Sequence, residues 1–349
     1  PDSIEGWADS IGVLISSFMV GNVSFPEYKG HRVKFDFSKI RPAGTPIKSG
    51  SKAPGPAGLQ QALLHIETLL NKTLKVGNTI RPIDAYDIVM HSSDAVLSGG
   101  VRRSATICIF SPEDDEMATA KTGSWHRDNP QRGRSNNSAL LIRDDTSKEL
   151  FAKLMESVKG FGEPGFIWSD SKEALYNPCV EIGMQAYDKE GNSGWQFCNL
   201  CEINMKKATT EDKFFDACRA AAIIGTMQAS YDEFPYLGKI TNEIVKREAL
   251  LGVSMTGMAD SPDIAFDPAI QRKGAKLILN VNEKLAPIIG VNKCARATCV
   301  KPAGTTSCIL GTASGIHPQH SKYYIRRVRA DNKDPLTQFM IQAGFWKNL

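Results

Sequence analysis

The 349-residue chain contains no run of about 18 consecutive apolar residues, so the sequence predicts no transmembrane helix and no membrane partner. A secretory signal is not expected either, because the apolar stretch from Ile11 to Val20 is short, is interrupted by serines and follows acidic residues. The eight cysteines do not have the spacing of a small disulfide scaffold. These absences together predict a protein of the reducing cytoplasm.

Two further kinds of site are missing from the sequence. The pair Cys198-x-x-Cys201 has no second cysteine pair and no matching histidine pair, so we predict no metal site. A spacing of three on a strand puts the two thiols on opposite faces, which predicts a structural role for Cys201. The net charge of +4 suits a small phosphate-bearing substrate but is weak evidence for a nucleic-acid partner, and none is expected.

The most informative stretch of the sequence lies between Asn177 and Asn204. Its start, Asn-Pro-Cys-Val-Glu, predicts a turn, because a residue before proline is disfavoured in the α region. Cys179 is therefore expected near the tip of a loop. An extended backbone after it would point the side chains of Cys179 and Glu181 the same way. The segment from Trp195 to Asn204 is predicted to be a strand that carries Cys198.

The residue types in this stretch permit radical and reductive chemistry. A thiol can exchange a hydrogen atom with a C–H group of a substrate, a second thiol can supply a proton and an electron, and a carboxylate can accept a hydroxyl proton. The alternative is that Cys179 and Cys198 are buried small hydrophobes, which is the usual role of a cysteine outside a disulfide.

A second stretch favours phosphate binding. After Cys299 an apolar strand end runs into Pro-Ala-Gly, and three hydroxyl residues then open a predicted helix. Amide N–H groups at a helix N-terminus suit a phosphate, although this is not a Walker loop, because G-K-[ST] is absent. The candidate phosphate-binding residues are Ala303, Gly304, Thr305, Thr306 and Ser307.

A glycine- and arginine-containing loop is a third candidate. Gly99 and Gly100 permit close backbone approach, and Arg102 and Arg103 can pair with phosphate or stack on a base. The alternative is a glycine turn that leads into a strand, with the arginines on the surface.

Strands alternate with helices along the chain, which predicts an α/β fold with parallel strands. The expected strands lie near 33–37, 102–110, 138–142, 165–169, 196–204, 250–256, 297–302 and 323–329.

The motifs together resemble ribonucleotide reductase. Asn-x-Cys-x-Glu followed by Cys-Asn-Leu-x-x-Ile-Asn is similar to its finger loop and following strand. The proline inside the motif, and the ordered stretches SNNS, GEPGF, GVSMTGMAD and PAGTTS, are most similar to the adenosylcobalamin-dependent (class II) enzymes of the monomer type, phage-encoded members included. The resemblance implies that adenosylcobalamin is the cofactor.

The resemblance also implies residue roles. Cys179 would carry a thiyl radical, Glu181 would be the base on the ribose 3′-hydroxyl, and Asn177 would hold the substrate hydroxyls. Cys198 would be one of two reducing thiols. Residues 303–307 would seat the nucleotide phosphates, and the Gly99, Gly100, Arg102 and Arg103 loop would relay the identity of an effector.

The implied fold is a ten-stranded α/β barrel of two parallel five-stranded halves around a central finger loop, here without the first and last strands. The first half, with the effector and substrate loops, would span 1–171, the finger loop 172–195 and the second half 196–349. The family places the second reducing cysteine on the strand before this chain begins. We therefore expect that no cysteine of residues 1–349 pairs with Cys198, and that these residues alone cannot complete a dithiol-driven turnover.

The implied activity is reduction of ribonucleoside di- or triphosphates to deoxyribonucleotides. Its partners would be the nucleotide substrate, a deoxynucleoside triphosphate effector, an external thioredoxin-like dithiol and a second chain as a source of flanking segments. The location would be the cytoplasm, or the host cytoplasm for a phage protein. The sequence leaves open a subunit of a split reductase, and a diiron (class I) or glycyl-radical (class III) enzyme.

Overall fold

The structure, a computed structural model, describes residues 1–47, 52–76, 79–96, 105–318, 321, 323 and 335–344. The chain divides into two compact units. The first unit comprises Pro1–Lys172 together with Arg327–Leu349, and the second comprises Glu173–Arg326.

The described residues form helices and strands in alternation. The α-helices are α1 (Ile4–Phe18), α2 (Ala57–Val76), α3 (Pro82–Ala95), α4 (Asp115–Ala118), α5 (Trp125–Asp128), α6 (Lys148–Phe161), α7 (Glu211–Gln228), α8 (Gly238–Glu248), α9 (Pro262–Ala265), α10 (Pro268–Ile289), α11 (Gly304–Leu310) and α12 (Pro335–Gln342). The strands are β1 (Thr106–Phe110), β2 (Ser135–Ile142), β3 (Gly165–Ser169), β4 (Leu175–Tyr176), β5 (Gly183–Met184), β6 (Asn199–Asn204) and β7 (Leu251–Thr256). Short 3-10 turns lie at Pro26–Tyr28, Pro130–Arg134 and Met258–Asp260.

The first unit contains a parallel sheet in the order β1-β2-β3, as the alternating pattern predicted. The register pairs Thr106 with Ser135 and Ser138 with Gly165. Helix α6 connects β2 to β3 and is bounded by local signals. The Ser147 side chain caps its N-terminus by accepting a hydrogen bond from the Leu150 N–H, and Gly162 ends it in the left-handed conformation.

The strand predicted near 33–37 is wrong, because these residues form no strand in the structure. Phe35 and Phe37 pack instead against a helical core cluster that includes Leu63, Ile66 and Leu70 of α2. A period-2 apolar pattern records which side chains are buried, but a strand also needs a partner for its backbone hydrogen bonds.

The second unit is built on the parallel pair β6 and β7, whose register runs from Asn199 opposite Leu251 to Asn204 opposite Thr256. One face of this pair is covered by α7 and α10, and its core includes Cys201, Val253 and Ile278. The opposite face carries the side chains of the candidate site.

The predicted strand near 297–302 is reduced to a short extension of this sheet. Val253 donates a hydrogen bond to Ala297 O at 2.9 Å and accepts one from the Cys299 N–H at 3.0 Å, and only Thr298 forms a bridge. The ladder stops there because Pro302 has no N–H and Ala303 turns the chain with φ 53°.

Two helices, α9 and α10, follow β7 in close succession. Asp267 separates them and caps α10, its carboxylate accepting from the N–H groups of Ala269 and Ile270 at 2.7 and 3.0 Å. The strand predicted near 323–329 lies almost entirely outside the described residues. Gly99, Gly100, Arg102 and Arg103 lie wholly outside them. No helix in the described part of the chain is long and apolar enough to cross a lipid bilayer.

Candidate active site

The finger segment is a hairpin in which β4 and β5 pair antiparallel, with Tyr176 opposite Gly183. Asn177 holds its tip together. The Asn177 N–H donates to Ile182 O at 3.3 Å, the Ile182 N–H donates to Asn177 Oδ1 at 3.0 Å, and the Val180 N–H donates to Asn177 O at 2.9 Å. Cys179 lies at this tip and is exposed, which agrees with the turn predicted from Asn-Pro.

The backbone between Cys179 and Glu181 is not extended, and that expectation is wrong. Val180 has φ 65°, in the left-handed region that β-branched residues rarely occupy. Such a conformation costs on the order of 1–3 kcal/mol and persists only where the surroundings hold it. The three Asn177 hydrogen bonds are the contacts that hold it here.

Glu181 is half-buried, and its Oε2 atom is buried without a hydrogen-bond partner among the described residues. A buried carboxylate oxygen without a partner is costly, so the site stabilises any ligand that donates a hydrogen bond there. The negative charge of Glu181 also raises the pKa values of Cys198 and Cys299, which places the three side chains in one electrostatic neighbourhood.

Cys198 immediately precedes β6, and its thiol lies over Gly252 of β7. Burial raises the pKa of this thiol to about 12, and the charges of Cys299 and Glu181 act in the same direction, while Arg296 lowers it. Cys198 is therefore a protonated thiol at neutral pH.

Neither Cys201 nor Cys299 can pair with Cys198 in the second unit. Cys201 lies on the opposite, helix-covered face, where its thiol contacts Gln228 Oε1 at 3.5 Å. Cys299 lies beyond β7, so two strand spacings, roughly 10 Å, separate its Cα from that of Cys198. A disulfide needs Cα atoms about 4.4–6.8 Å apart. All eight cysteines are reduced thiols.

A buried ion pair that sequence reasoning missed lies on the same face. The side chain of Glu202 is only 5% exposed and forms an ion pair with Lys301. The Thr256 hydroxyl donates to Glu202 Oε2 at 2.6 Å, and the Lys301 N–H donates to Ser254 Oγ at 2.9 Å. The available signal was the even spacing of Cys198 and Glu202, because alternate residues of a strand share a face.

Cys299 was also missed as a neighbour of the site. The pKa of its thiol is raised to about 11, mainly by burial. Glu181 and Glu202 act in the same direction, and Lys301 acts against them. The site face of the sheet therefore carries an acidic group, a basic group and two thiols: Glu202, Lys301, Cys198 and Cys299.

The candidate phosphate segment does begin a helix, as predicted. Ala303 is buried and precedes α11 in the left-handed conformation, and the Ser307 N–H donates to its carbonyl at 3.1 Å. The Ser307 hydroxyl donates back to Gly304 O at 2.8 Å, so its proton is engaged within the helix. Gly304 and Thr306 belong to the first turn; the side chain of Thr305 is outside the described part of the structure.

Helix α11 is tied to the strand that follows Cys198. Asn204, the last residue of β6, donates from Nδ2 to Leu310 O at 3.2 Å at the far end of the helix. No group of three or more histidine, cysteine or acidic side chains among the described residues could hold a metal ion.

Comparison with known proteins gives relatives along almost the whole chain. The chain is 29% identical over 99% of its length to the probable adenosylcobalamin-dependent ribonucleoside-triphosphate reductase of Dictyostelium discoideum. It is 26% identical over 99% to the adenosylcobalamin-dependent ribonucleoside-triphosphate reductase of Lactobacillus delbrueckii subsp. bulgaricus. It covers 45% and 50% of these proteins, about half their length. No protein-family model matches the chain.

A solved structure shows the same fold. The crystal structure of a B-12-dependent (class II) ribonucleotide reductase superposes with a TM-score of 0.71 at 24% identity, over 91% of this chain and 47% of that one. The α/β barrel fold predicted from the motifs is confirmed by this similarity. The chain is thus a relative of the adenosylcobalamin-dependent ribonucleotide reductases and has the fold of their class II.

Proposed function

We propose that this chain is the catalytic part of an adenosylcobalamin-dependent ribonucleoside-triphosphate reductase. One observation carries the proposal: the finger hairpin presents the exposed Cys179 two residues from Glu181, whose buried Oε2 has no partner among the described residues. The names of the relatives support a triphosphate as the substrate and do not favour a diiron or glycyl-radical enzyme.

In the proposed reaction Cys179, as a thiyl radical, takes the hydrogen atom from ribose C3′. Glu181 accepts the proton of the 3′-hydroxyl, and the 2′-hydroxyl leaves as water. The protonated Cys198 thiol and a partner thiol supply two electrons and two protons and become a disulfide. Cys179 then returns its hydrogen atom to C3′. The sum is ribonucleotide plus dithiol giving deoxyribonucleotide, disulfide and water.

Asn177 has two proposed roles that use different atoms. Its Oδ1 accepts the hydrogen bond that holds the hairpin tip. Its amide N–H donors are proposed to hold the substrate hydroxyls, as the resemblance implies.

The nucleotide phosphates are proposed to bind at Ala303, Gly304, Thr305, Thr306 and Ser307. The amide N–H groups in the first turn of a helix have no partner within that helix and attract anions. Since the Ser307 hydroxyl and N–H are engaged within the segment, the amides of Gly304–Thr306 are the proposed donors.

Adenosylcobalamin is proposed as the cofactor, and the exposed hairpin tip fits it. A bulky corrin can reach only a thiol that is exposed, and Cys179 is exposed while Cys198 is half-buried. When bound, adenosylcobalamin supplies the radical chemistry, and the protein supplies orientation and exclusion of water.

Several elements of the proposal come from the resemblance alone. We propose half-barrels at 1–171 and 196–349 around the finger loop 172–195, and a deoxynucleotide effector read by Gly99, Gly100, Arg102 and Arg103. An external thioredoxin-like dithiol would regenerate the thiols. The proposed location is the cytoplasm.

The test is an omission series on the full-length protein that contains this chain. A ribonucleoside triphosphate, adenosylcobalamin and a small dithiol are supplied together, and each is then left out in turn. The proposal predicts deoxynucleotide only in the complete mixture. Product formed without adenosylcobalamin, or none in the complete mixture, would contradict it.

A further inference from the structure

Gly252 is a buried glycine, the second residue of β7, on the face that carries the candidate site. Three side chains converge on the space that its missing Cβ leaves. A methyl group at this position would lie 2.6 Å from Leu200 Cδ2, 2.9 Å from Cys198 Sγ and 3.3 Å from Ile182 Cδ1. The first two distances are shorter than contacts that Cβ atoms make in proteins.

The backbone does not explain this glycine. Gly252 is not among the residues with positive φ, and it lies in regular parallel pairing with Leu200. Glycine inside a strand is unfavourable and marks places where another group approaches closely. Here the approaching groups are the Cys198 thiol and the side chain that follows Glu181.

We propose that Gly252 is a positioning residue that seats the Cys198 thiol and Ile182 together above β7 and so fixes the finger hairpin relative to that thiol. The inference rests on the proposed function, because it gives the packing a role in the reaction. Ile182 is 6% exposed and directly follows Glu181. Its contact over Gly252 therefore places Glu181, the proposed base, and Cys198, the proposed reducing thiol, on the same face of β7.

The finger segment that carries the hairpin is tied to α8, where Arg247 Nη1 donates to Tyr187 O at 2.9 Å and Thr241 Oγ1 accepts from the Trp195 N–H at 3.1 Å. The hairpin tip is held by the hydrogen bonds of Asn177, one of which comes from Ile182 itself. A methyl group at position 252 would therefore displace the Cys198 thiol or Leu200. Because burial is the largest cause of the raised pKa of Cys198, a thiol pushed toward solvent would ionise more readily and react faster.

Gly274 provides a matched control in the same unit. A methyl group there would lie 2.7 Å from Phe214 Cε1 and 3.3 Å from Cys218 Sγ, in the helix-covered core. Gly274→Ala thus also crowds a thiol and a large side chain, but away from the site face. The Gly274→Ala variant therefore measures the loss of stability that overpacking causes without a change at the site.

The experiment compares Gly252→Ala, Gly274→Ala and wild type in the full-length protein. Alkylation of Cys198 by iodoacetamide at pH 8 is followed by peptide mass spectrometry, with nucleotide binding and turnover measured alongside. We expect Gly252→Ala to alkylate Cys198 about tenfold faster and to lose about tenfold in turnover, with nucleotide affinity retained. Gly274→Ala should leave all three quantities close to wild type.

A second variant serves if Gly252→Ala does not fold. Ile182→Val removes the Cδ1 atom that covers Gly252 and adds no bulk, and it should accelerate Cys198 alkylation. Wild-type alkylation in both variants, or an equal effect of Gly274→Ala, would overturn the inference. If the full-length protein reduces no nucleotide while the site variants still expose Cys198, the proposed function is wrong and the seating of Cys198 by Gly252 stands.

Discussion

Asn177 Oδ1 accepts a hydrogen bond from the Ile182 N–H at 3.0 Å, and this contact closes the hairpin that presents Cys179 and Glu181. The same contact helps to hold Val180 in its left-handed conformation. The Asn177 side chain, to which the resemblance gives a role in substrate binding, therefore also stabilises the hairpin tip.

Asn177→Asp separates the two roles, because aspartate keeps the Oδ1 acceptor and loses the amide donors. We expect its unfolding free energy to stay near wild type and its turnover to fall strongly. Asn177→Ala loses both and should also lose about 1 kcal/mol of stability. Thermal unfolding and steady-state kinetics check this. Full activity in Asn177→Asp would mean that the residue only stabilises the hairpin tip.

The ion pair of Glu202 and Lys301 predicts an asymmetric response to mutation. Lys301→Met leaves the buried Glu202 carboxylate without its cation and should cost about 3 kcal/mol, because an unpaired buried charge is strongly destabilising. Glu202→Gln should cost less, since the Lys301 side chain is 22% exposed. Denaturant unfolding gives both values.

The matched control for this pair is on the surface. Lys293 and Glu283 form an ion pair with side chains 63% and 58% exposed, so Lys293→Met should change the unfolding free energy far less than Lys301→Met. Equal losses in Lys301→Met and Lys293→Met would show that Glu202 is not held as a buried charge.

The raised pKa of Cys198 predicts its reactivity with pH. Only the thiolate alkylates, and a pKa of about 12 means that its fraction keeps rising with pH well above the ordinary thiol value of 9.0. The alkylation rate of Cys198 should therefore increase steadily from pH 8 to about pH 11. A rate that levels off near pH 9 would contradict the burial of this thiol.

The same shift has a consequence for stability. The pKa of Cys198 is higher in the folded protein than in the unfolded chain. Its contribution to the unfolding free energy is therefore fully present below pH 9.0 and is lost as pH rises toward 12. Cys218 and Cys299, whose pKa values burial raises to about 12 and about 11, act in the same direction. Unfolding free energy should thus fall as pH rises above 9.0.

The sheet register predicts which disulfides cannot form. After mild oxidation of the folded protein, peptide mapping should find no bond from Cys198 to Cys201 or to Cys299, because one thiol faces the opposite side and the other lies beyond β7. Either disulfide, formed without unfolding, would refute the strand geometry.

The sequence was sufficient for features set by local chemistry. Asn-Pro marks the turn that carries Cys179, and Pro-Ala-Gly followed by hydroxyl residues marks the start of α11. The alternation of strands and helices predicted the parallel pairs of both units.

Features set by distant partners were not predictable from the sequence. Glu202 and Lys301 are 99 residues apart, and neither has a local signal that names the other. The left-handed Val180 contradicts the preference of a β-branched residue, and the hydrogen bonds across the hairpin tip that help to hold it leave no local signal in the sequence. The pattern at 33–37 correctly indicated that Phe35 and Phe37 pack against a core, where they are partly buried, but it could not show that no strand lies beside them.

The central claim is that Cys179 carries the radical and Glu181 takes the 3′-hydroxyl proton. The most direct measurement is deoxynucleotide formation by the full-length protein carrying Cys179→Ala, with nucleotide binding and thermal unfolding as controls for the fold. Since Cys179 is exposed at a hairpin tip, the variant should fold and bind nucleotide as wild type does and form no product. Glu181→Gln should bind nucleotide and turn over much more slowly. Product formed by Cys179→Ala at a rate near wild type would contradict the account.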